Sequence, residues 1–239
     1  MNNQSINNRT MNNRTMNNML EYLSALENNN NRDWYNANKE QFKNANSEFE
    51  QLIEKLVFSI GQFDNSIIPY SPKELTFRLA RDTRFSNDKT PYNPSFRACI
   101  APAGKRPIPV GYYISIAPNN CSFLGGGLHE PLFKDATTKM RDYIESHGNE
   151  FETILQNEDF SAHFSVKGES LKNVPHGYDK THPQANYLKL KSWYLQFPLS
   201  DSTVLSEDFV KEATRVFCLM KPFNDYLNAA LKGIQMPKR

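Results

Sequence analysis

Apolar residues recur three or four apart between Trp34 and Ile60, and two apart between Ser95 and Ala117. The first spacing predicts helix and the second predicts strand. In the helical stretch Trp34, Phe42, Ala45, Phe49, Leu52, Ile53, Leu56, Val57 and Ile60 form one stripe. It predicts a helix from about Asp33 to Gly61, with Asn31 or Asp33 as its cap. Upstream, Leu20, Tyr22, Leu23 and Leu26 predict a short helix near Met19, interrupted by Asn28 to Asn31 because Asn favours turns. A last stripe runs through Phe209, Ala213, Val216, Phe217, Met220, Phe223, Leu227 and Leu231. It predicts a helix over about 207–232, capped by Ser206, kinked or divided at Pro222 and ended by Gly233.

Alternation marks the middle of the chain. In Leu75 to Arg81, Phe77 and Leu79 face one way and Thr76, Arg78 and Ala80 the other. Ser95 to Ala101 and Val110 to Ala117 alternate likewise. Cys121 to Leu124 predicts a further short strand that runs into Gly125-Gly126-Gly127. Short links between these segments predict an antiparallel meander of about four strands. Trp193 to Pro198 reads as an edge strand. Pro131 opens a helix over roughly 131–146, residues 149–164 read as short helical pieces, and Ala185 to Lys191 as a brief helix. The expected fold class is α+β, a central antiparallel sheet covered by N- and C-terminal helices.

Composition narrows the picture. A chain of 239 residues with 12% aromatic side chains can bury the core of one domain, expected over 19–233. Residues 1–18 contain the repeated unit MNNRT and eight asparagines, with no apolar face at either spacing. They read as a disordered leader, and residues 234–239 as a flexible tail. Three widely spaced cysteines, without CxxC, argue against a disulfide framework and a structural zinc, and favour a reducing, cytosolic compartment. No run of about 18 apolar residues predicts a membrane span, and no apolar segment at the start predicts a secretory signal.

The charge is uneven. From Arg78 to Arg106 there are seven basic residues (Arg78, Arg81, Arg84, Lys89, Arg97, Lys105, Arg106) and two acidic ones (Asp82, Asp88). Guanidinium forks suit phosphate and carboxylate, so Arg78, Arg81, Arg84 and Lys89 are candidate ligands for a small anion. Tyr92 or Tyr113 would close over it, and the backbone of Gly125, Gly126 and Gly127 could approach it closely. Two other readings stand beside this one. Asp82 and Asp88 could neutralise the arginines in a structural ion-pair network, leaving a non-catalytic interaction module. Alternatively, basic residues interleaved with Phe85, Tyr92, Phe96, Tyr112 and Tyr113 could bind nucleic acid.

Asp82, Asp88 and His129, with Glu130, are the acid–base candidates should the protein be an enzyme, a question the sequence leaves open. Arg32, Trp34, Phe85, Lys172 and Tyr178 are candidate supporting residues. His176, Asp179 and His182 fit no standard zinc spacing, so neither metal nor cofactor is expected. No GxSxG, HExxH, Walker or GxGxxG pattern occurs.

One long pattern is specific. R-x-x-R-D-x-R-F-x-x-x-D-K-x-x-Y is formed by Arg78, Arg81, Asp82, Arg84, Phe85, Asp88, Lys89 and Tyr92. Asn30-x-Arg32-x-Trp34 precedes it. Gly111-Tyr112-Tyr113, Phe123-Leu124 with the glycine triplet, Leu171-Lys172, Pro175-x-Gly177-Tyr178 and His182-Pro183 follow in order. From about residue 19 to 232 the chain resembles the DUF2461 family of bacterial proteins, which has some fungal members. The resemblance implies a single domain of that family and no particular activity.

Overall fold

The computed structural model describes residues 3–67, 70–129 and 134–234, with residues 3–15 as backbone alone. The fold is α+β. Its sheet is a four-stranded meander of β1 (Phe96–Ile100), β2 (Tyr112–Ile116), β3 (Ser122–Leu128) and β4 (Trp193–Leu199), each antiparallel to its neighbour in that order. The register pairs Arg97 with Ser115 and Ser115 with Phe123; in the next row Cys99, Tyr113, Gly125 and Gln196 lie side by side. Successive side chains alternate across a strand, so these residues share one face. The other face carries Phe96, Ala98, Ile100, Tyr112, Ile114, Ile116, Leu124 and Leu195, all buried.

Helices pack on that apolar face, chiefly α1 (Asn3–Asn28), α3 (Lys39–Ile60) and, from the far end of the chain, α10 (Phe209–Ala230), while α2 (Arg32–Ala37) packs against α3. Phe49 of α3 sits 5.3 Å from the ring of Phe96, and Phe217 of α10 sits 5.3 Å from that of Tyr112. Between them lie α4 (Pro72–Leu75), α5 (Lys134–Ser146), α6 (Gly148–Gln156), α7 (Glu158–His163), α8 (Ala185–Leu188) and α9 (Asp201–Val204). Phe151 and Phe160 of α6 and α7 pack on Tyr226 and Phe223 of α10.

Several expectations change. The first helix begins at Asn3, not near Met19, and Met16 is buried in the core. Asn is a weak helix former, but once the packed turns at Met19, Leu23 and Leu26 exist, adding turns upstream needs no new nucleus. The helix expected from Asp33 to Gly61 is divided at Asn38, whose side-chain amide donates to the Trp34 carbonyl 2.8 Å away. Asn31 is the cap, accepting from the Trp34 N–H. The last helix runs unbroken through Pro222, which lies on an exposed position, and its N-cap is Asp208 rather than Ser206.

Leu75 to Arg81 is not a strand. Leu75 ends α4, whose first turn carries Pro72, and the chain beyond touches the sheet at a single bridge, Thr76 to Ala98, before Ala80 bridges to Tyr92 outside the sheet. The Phe77 N–H donates to the Arg97 carbonyl, so this segment borders the free edge of β1. The strand expected to end at Leu124 continues through the glycine triplet. The triplet lies inside β3, with Gly125 and Gly126 paired to both β2 and β4 and Gly127 to β4. The expected helix start at Pro131, Glu130 of the acid–base pair, and residues 235–239 of the tail lie outside the described residues.

The triplet is glycine for reasons of packing. At Gly127, φ is +88°, and an added Cβ would stand 2.5 Å from the Trp193 carbonyl and 2.9 Å from the ring of Phe223. Gly126 lies under α10, where a Cβ would meet Asn224 and Met220 at 3.1 Å. The helix approaches the sheet closely here because β3 has no side chains to hold it off.

Candidate functional site

The arginine-rich motif forms a closed loop. Ala80 bridges to Tyr92, the Arg81 N–H donates to the Pro91 carbonyl, and the Asn93 N–H donates to the Leu79 carbonyl. Asn30 ties the loop to the first helices. Its side chain donates to the Tyr92 carbonyl at 2.9 Å and accepts the Tyr92 N–H at 3.1 Å, as a neighbouring strand would. The ring of Tyr92 stacks on Tyr35 with centroids 4.3 Å apart.

Inside the loop the charges meet one another. Arg81 forms an ion pair with Asp88 and also reaches the hydroxyls of Thr90 and Ser86. Arg84 pairs with Asp82, Nη2 to Oδ2 at 2.6 Å and Nε to Oδ1 at 2.9 Å. Lys89 donates to the Thr83 carbonyl at 2.9 Å. Hydrogen bonds from the Thr90 backbone, from Arg81 and from the Thr90 hydroxyl hold the Asp88 carboxyl down at about 2. Arg84 likewise lowers the Asp82 carboxyl. Carboxylates held below their usual range are poor general bases at neutral pH, which works against Asp82 and Asp88 as catalytic groups. Phe85 projects from the loop tip, 94% exposed, with the Arg84 guanidinium 5.8 Å from its ring centre.

A second cationic group lies on the sheet face opposite the apolar core. Arg97 of β1 holds its guanidinium 5.8 Å from the centre of the Phe77 ring and donates from Nη2 to the Arg78 carbonyl at 3.2 Å. Its Nε is buried and has no hydrogen-bond partner among the described residues. Lys105 approaches the same ring at 5.9 Å and donates to the Thr76 carbonyl. Neither cation forms an ion pair with a described carboxylate, although the Glu74 carboxyl, lowered chiefly by its hydrogen bonds from Ser71, also feels Lys105.

Aromatic rings line this face. Tyr113 lies 6.2 Å from Phe77 and stacks on Phe123 at 5.7 Å. Beneath the rings are the small residues Cys99 and Ser115, which leave room for rings to lie against the sheet. Burial raises the Tyr113 phenol while the charge of Arg97 opposes that shift, and burial pushes the Cys99 thiol up to about 12. Gly125 separates Tyr113 from Gln196, to which Lys167 donates at 3.2 Å. At the far end Tyr194 contacts the His129 ring, 4.6 Å away.

The expected site residues therefore divide. Tyr113 and Gly125 lie on the outer face, and exposed Arg78 lies at its edge. Arg81, Arg84, Lys89 and Tyr92 belong to the loop. Gly126 faces the core beneath Asn224 and Met220 of α10, and Gly127 stands against the Trp193 carbonyl and the Phe223 ring. Three strand positions separate the segment carrying Arg78 from the triplet, about 14 Å at the usual spacing. Trp34 packs against Tyr22, and Arg32 is exposed at the start of α2. Tyr178 donates to Asp142 of α5 and Lys172 is exposed in its loop. Asp179 accepts from Thr181, and His182 Nδ1 accepts the Gln184 N–H. Among the described residues no group of three or more His, Cys, Asp or Glu side chains is placed to hold a metal ion. Lys167, Gln196 and Tyr194 stand in no sequence motif of this site, and Arg97, Lys105 and Phe123 have no role of their own in the motif that precedes them. The alternation of Arg97 with Phe96 and Ala98 was the signal that placed its side chain opposite the core.

The family described as "Conserved hypothetical protein (DUF2461)" matches residues 18–226, and the chain belongs to it. No curated protein and no solved structure matches the chain. No helix among the described residues is long and apolar enough to cross a membrane.

Proposed function

We propose that this DUF2461 protein binds a flat anionic ligand, one bearing a ring and a phosphate or carboxylate, on the outer face of its sheet. The observation that carries the reading is the setting of Arg97. Its Nε is buried without a partner, its guanidinium rests near an aromatic ring, and no described carboxylate neutralises it. A buried donor left unsatisfied costs on the order of 1–3 kcal/mol, and a ligand oxygen would recover that. Arg78 and Lys105 would add charge from the β1 edge, and Tyr113 and Phe123 would stack against the ring.

On this reading the motif loop is scaffold. Its ion pairs shape the segment that borders β1, and its arginines contact their own aspartates before any ligand. Thermal unfolding with inorganic phosphate and with adenosine monophosphate tests the proposal. Ligand at 100 times its dissociation constant should stabilise the wild type by about 2.7 kcal/mol. At the same ligand concentration the stabilisation should fall to between about 0.4 and 1.4 kcal/mol in Arg97→Gln. Equal stabilisation of wild type and variant, or none of the wild type, would overturn it.

A further inference from the structure

We infer that the ligand of this face is a single-stranded nucleic acid, an inference that rests on the binding face proposed above. The geometry extends beyond what one small anion needs. Phe77, Tyr113 and Phe123 form a row of rings crossing β1, β2 and β3, with neighbouring centroids 6.2 and 5.7 Å apart. Tyr194 on β4 shares this face beside Gly127, four residues along the strand from Pro198, the partner of Phe123. Between the Phe77 segment and β4 lie four strand spacings, about 19 Å, room for several stacked bases rather than one. Bases stack on aromatic side chains without regard to sequence, because every base has a π-face.

Cations stand at both margins of this row. Arg78, Arg97 and Lys105 lie on the β1 side, and Lys167 lies on the β4 side beside Gln196. None of the four forms an ion pair with a described carboxylate; the nearby acid Glu169 is taken by Lys191, and Glu74 by Ser71. A chain of phosphates could therefore run along either margin while its bases lie on the rings. The outer face of a four-stranded antiparallel sheet, with half-buried aromatics on its central strands, is a surface suited to unpaired bases. A duplex hides its base faces and could use only the margins.

Fluorescence anisotropy with labelled 12-nucleotide single strands of DNA and of RNA, a duplex of the same length, and adenosine monophosphate as competitor tests the inference. A single strand should bind at least tenfold tighter than the mononucleotide and the duplex. With four phosphate contacts, log affinity should fall against log salt with a slope of about −3. Phe123→Ala should weaken binding roughly five- to hundredfold, and Phe123→Leu serves as a packing control. Lys105→Gln/Lys167→Gln changes only exposed side chains and should lower the slope by about 1.4. A preference for RNA or for DNA would identify which strand is bound. Single strands that bind no tighter than the mononucleotide would overturn the inference and leave the anion-binding reading intact. So would a flat salt dependence, or duplex binding of equal strength. Failure of both single strands and the mononucleotide would overturn both.

Discussion

Two basic regions lie near each other in the chain and use their charge in opposite ways. In the motif loop Arg81 meets Asp88 and Arg84 meets Asp82, so the density of arginine is matched by carboxylates a few residues away. On the outer face of the sheet Arg97 and Lys105 meet aromatic rings and backbone carbonyls instead. A count of positive residues does not distinguish these regions. What distinguishes them is whether an acid stands within reach, and a loop can fold its own acids back where a strand cannot. Availability for a ligand follows the less dense region.

The largest effects should come from the glycine triplet, whose three residues separate the inner and outer faces of the sheet. Gly127→Ala forces a side chain into a left-handed backbone and against the Trp193 carbonyl, and should destabilise the protein by about 3 kcal/mol or more in denaturant unfolding. Gly126→Ala presses on α10 and should cost about 1 kcal/mol. Gly125→Ala faces outward, where the nearest atom is the Leu195 carbonyl at 3.3 Å, and should cost least. The reverse order would mean that the strand pairing is misread.

Next in size is the contrast between arginines. Arg97→Gln should weaken binding of adenosine monophosphate about ten- to hundredfold, as loss of a charged hydrogen bond does. Arg84→Gln should change it less than twofold. Isothermal titration of the two variants side by side measures the difference, and equal losses would erase the distinction between loop and sheet.

Acid should disturb the loop before the sheet. The Asp88 carboxyl titrates at about 2 in the fold and near its ordinary value when unfolded, so its contribution is complete above about pH 4 and is lost as pH falls toward 2. Amide exchange across residues 81–90 should accelerate over that interval while the sheet amides stay protected. Thiol labelling gives the smallest and simplest contrast. Cys121 and Cys218 are exposed and should react within minutes at pH 8, whereas Cys99, with its thiol raised to about 12 beneath Tyr113, should react only on unfolding.

Much of the fold was legible in the apolar spacing. The stripe through Phe42, Phe49 and Ile60 and the alternation through Phe96, Ala98 and Ile100 place the long helix and β1 within a few residues, because burial enforces both periods. The segment after Leu75 alternates equally well, yet it only bridges the edge of β1, since alternation reports sidedness and not whether a full ladder forms. The strand from Cys121 was ended at Leu124, too early, for the opposite reason: glycine locally signals the end of a strand, and the cause of the triplet is Phe223 and Asn224, nearly a hundred residues away. The motif was recognisable as a unit, but the partners of its arginines depended on how Asp82 and Asp88 fold back, which spacing does not report.

The central claim is that the ligand meets the outer face of the sheet and not the arginine loop. Amide chemical-shift mapping during titration with adenosine monophosphate tests it most directly. The largest changes should fall at Arg97, Tyr113, Phe123 and Gln196, with residues 81–90 nearly still. Changes concentrated at Arg81, Arg84 and Lys89, with a silent sheet face, would contradict it.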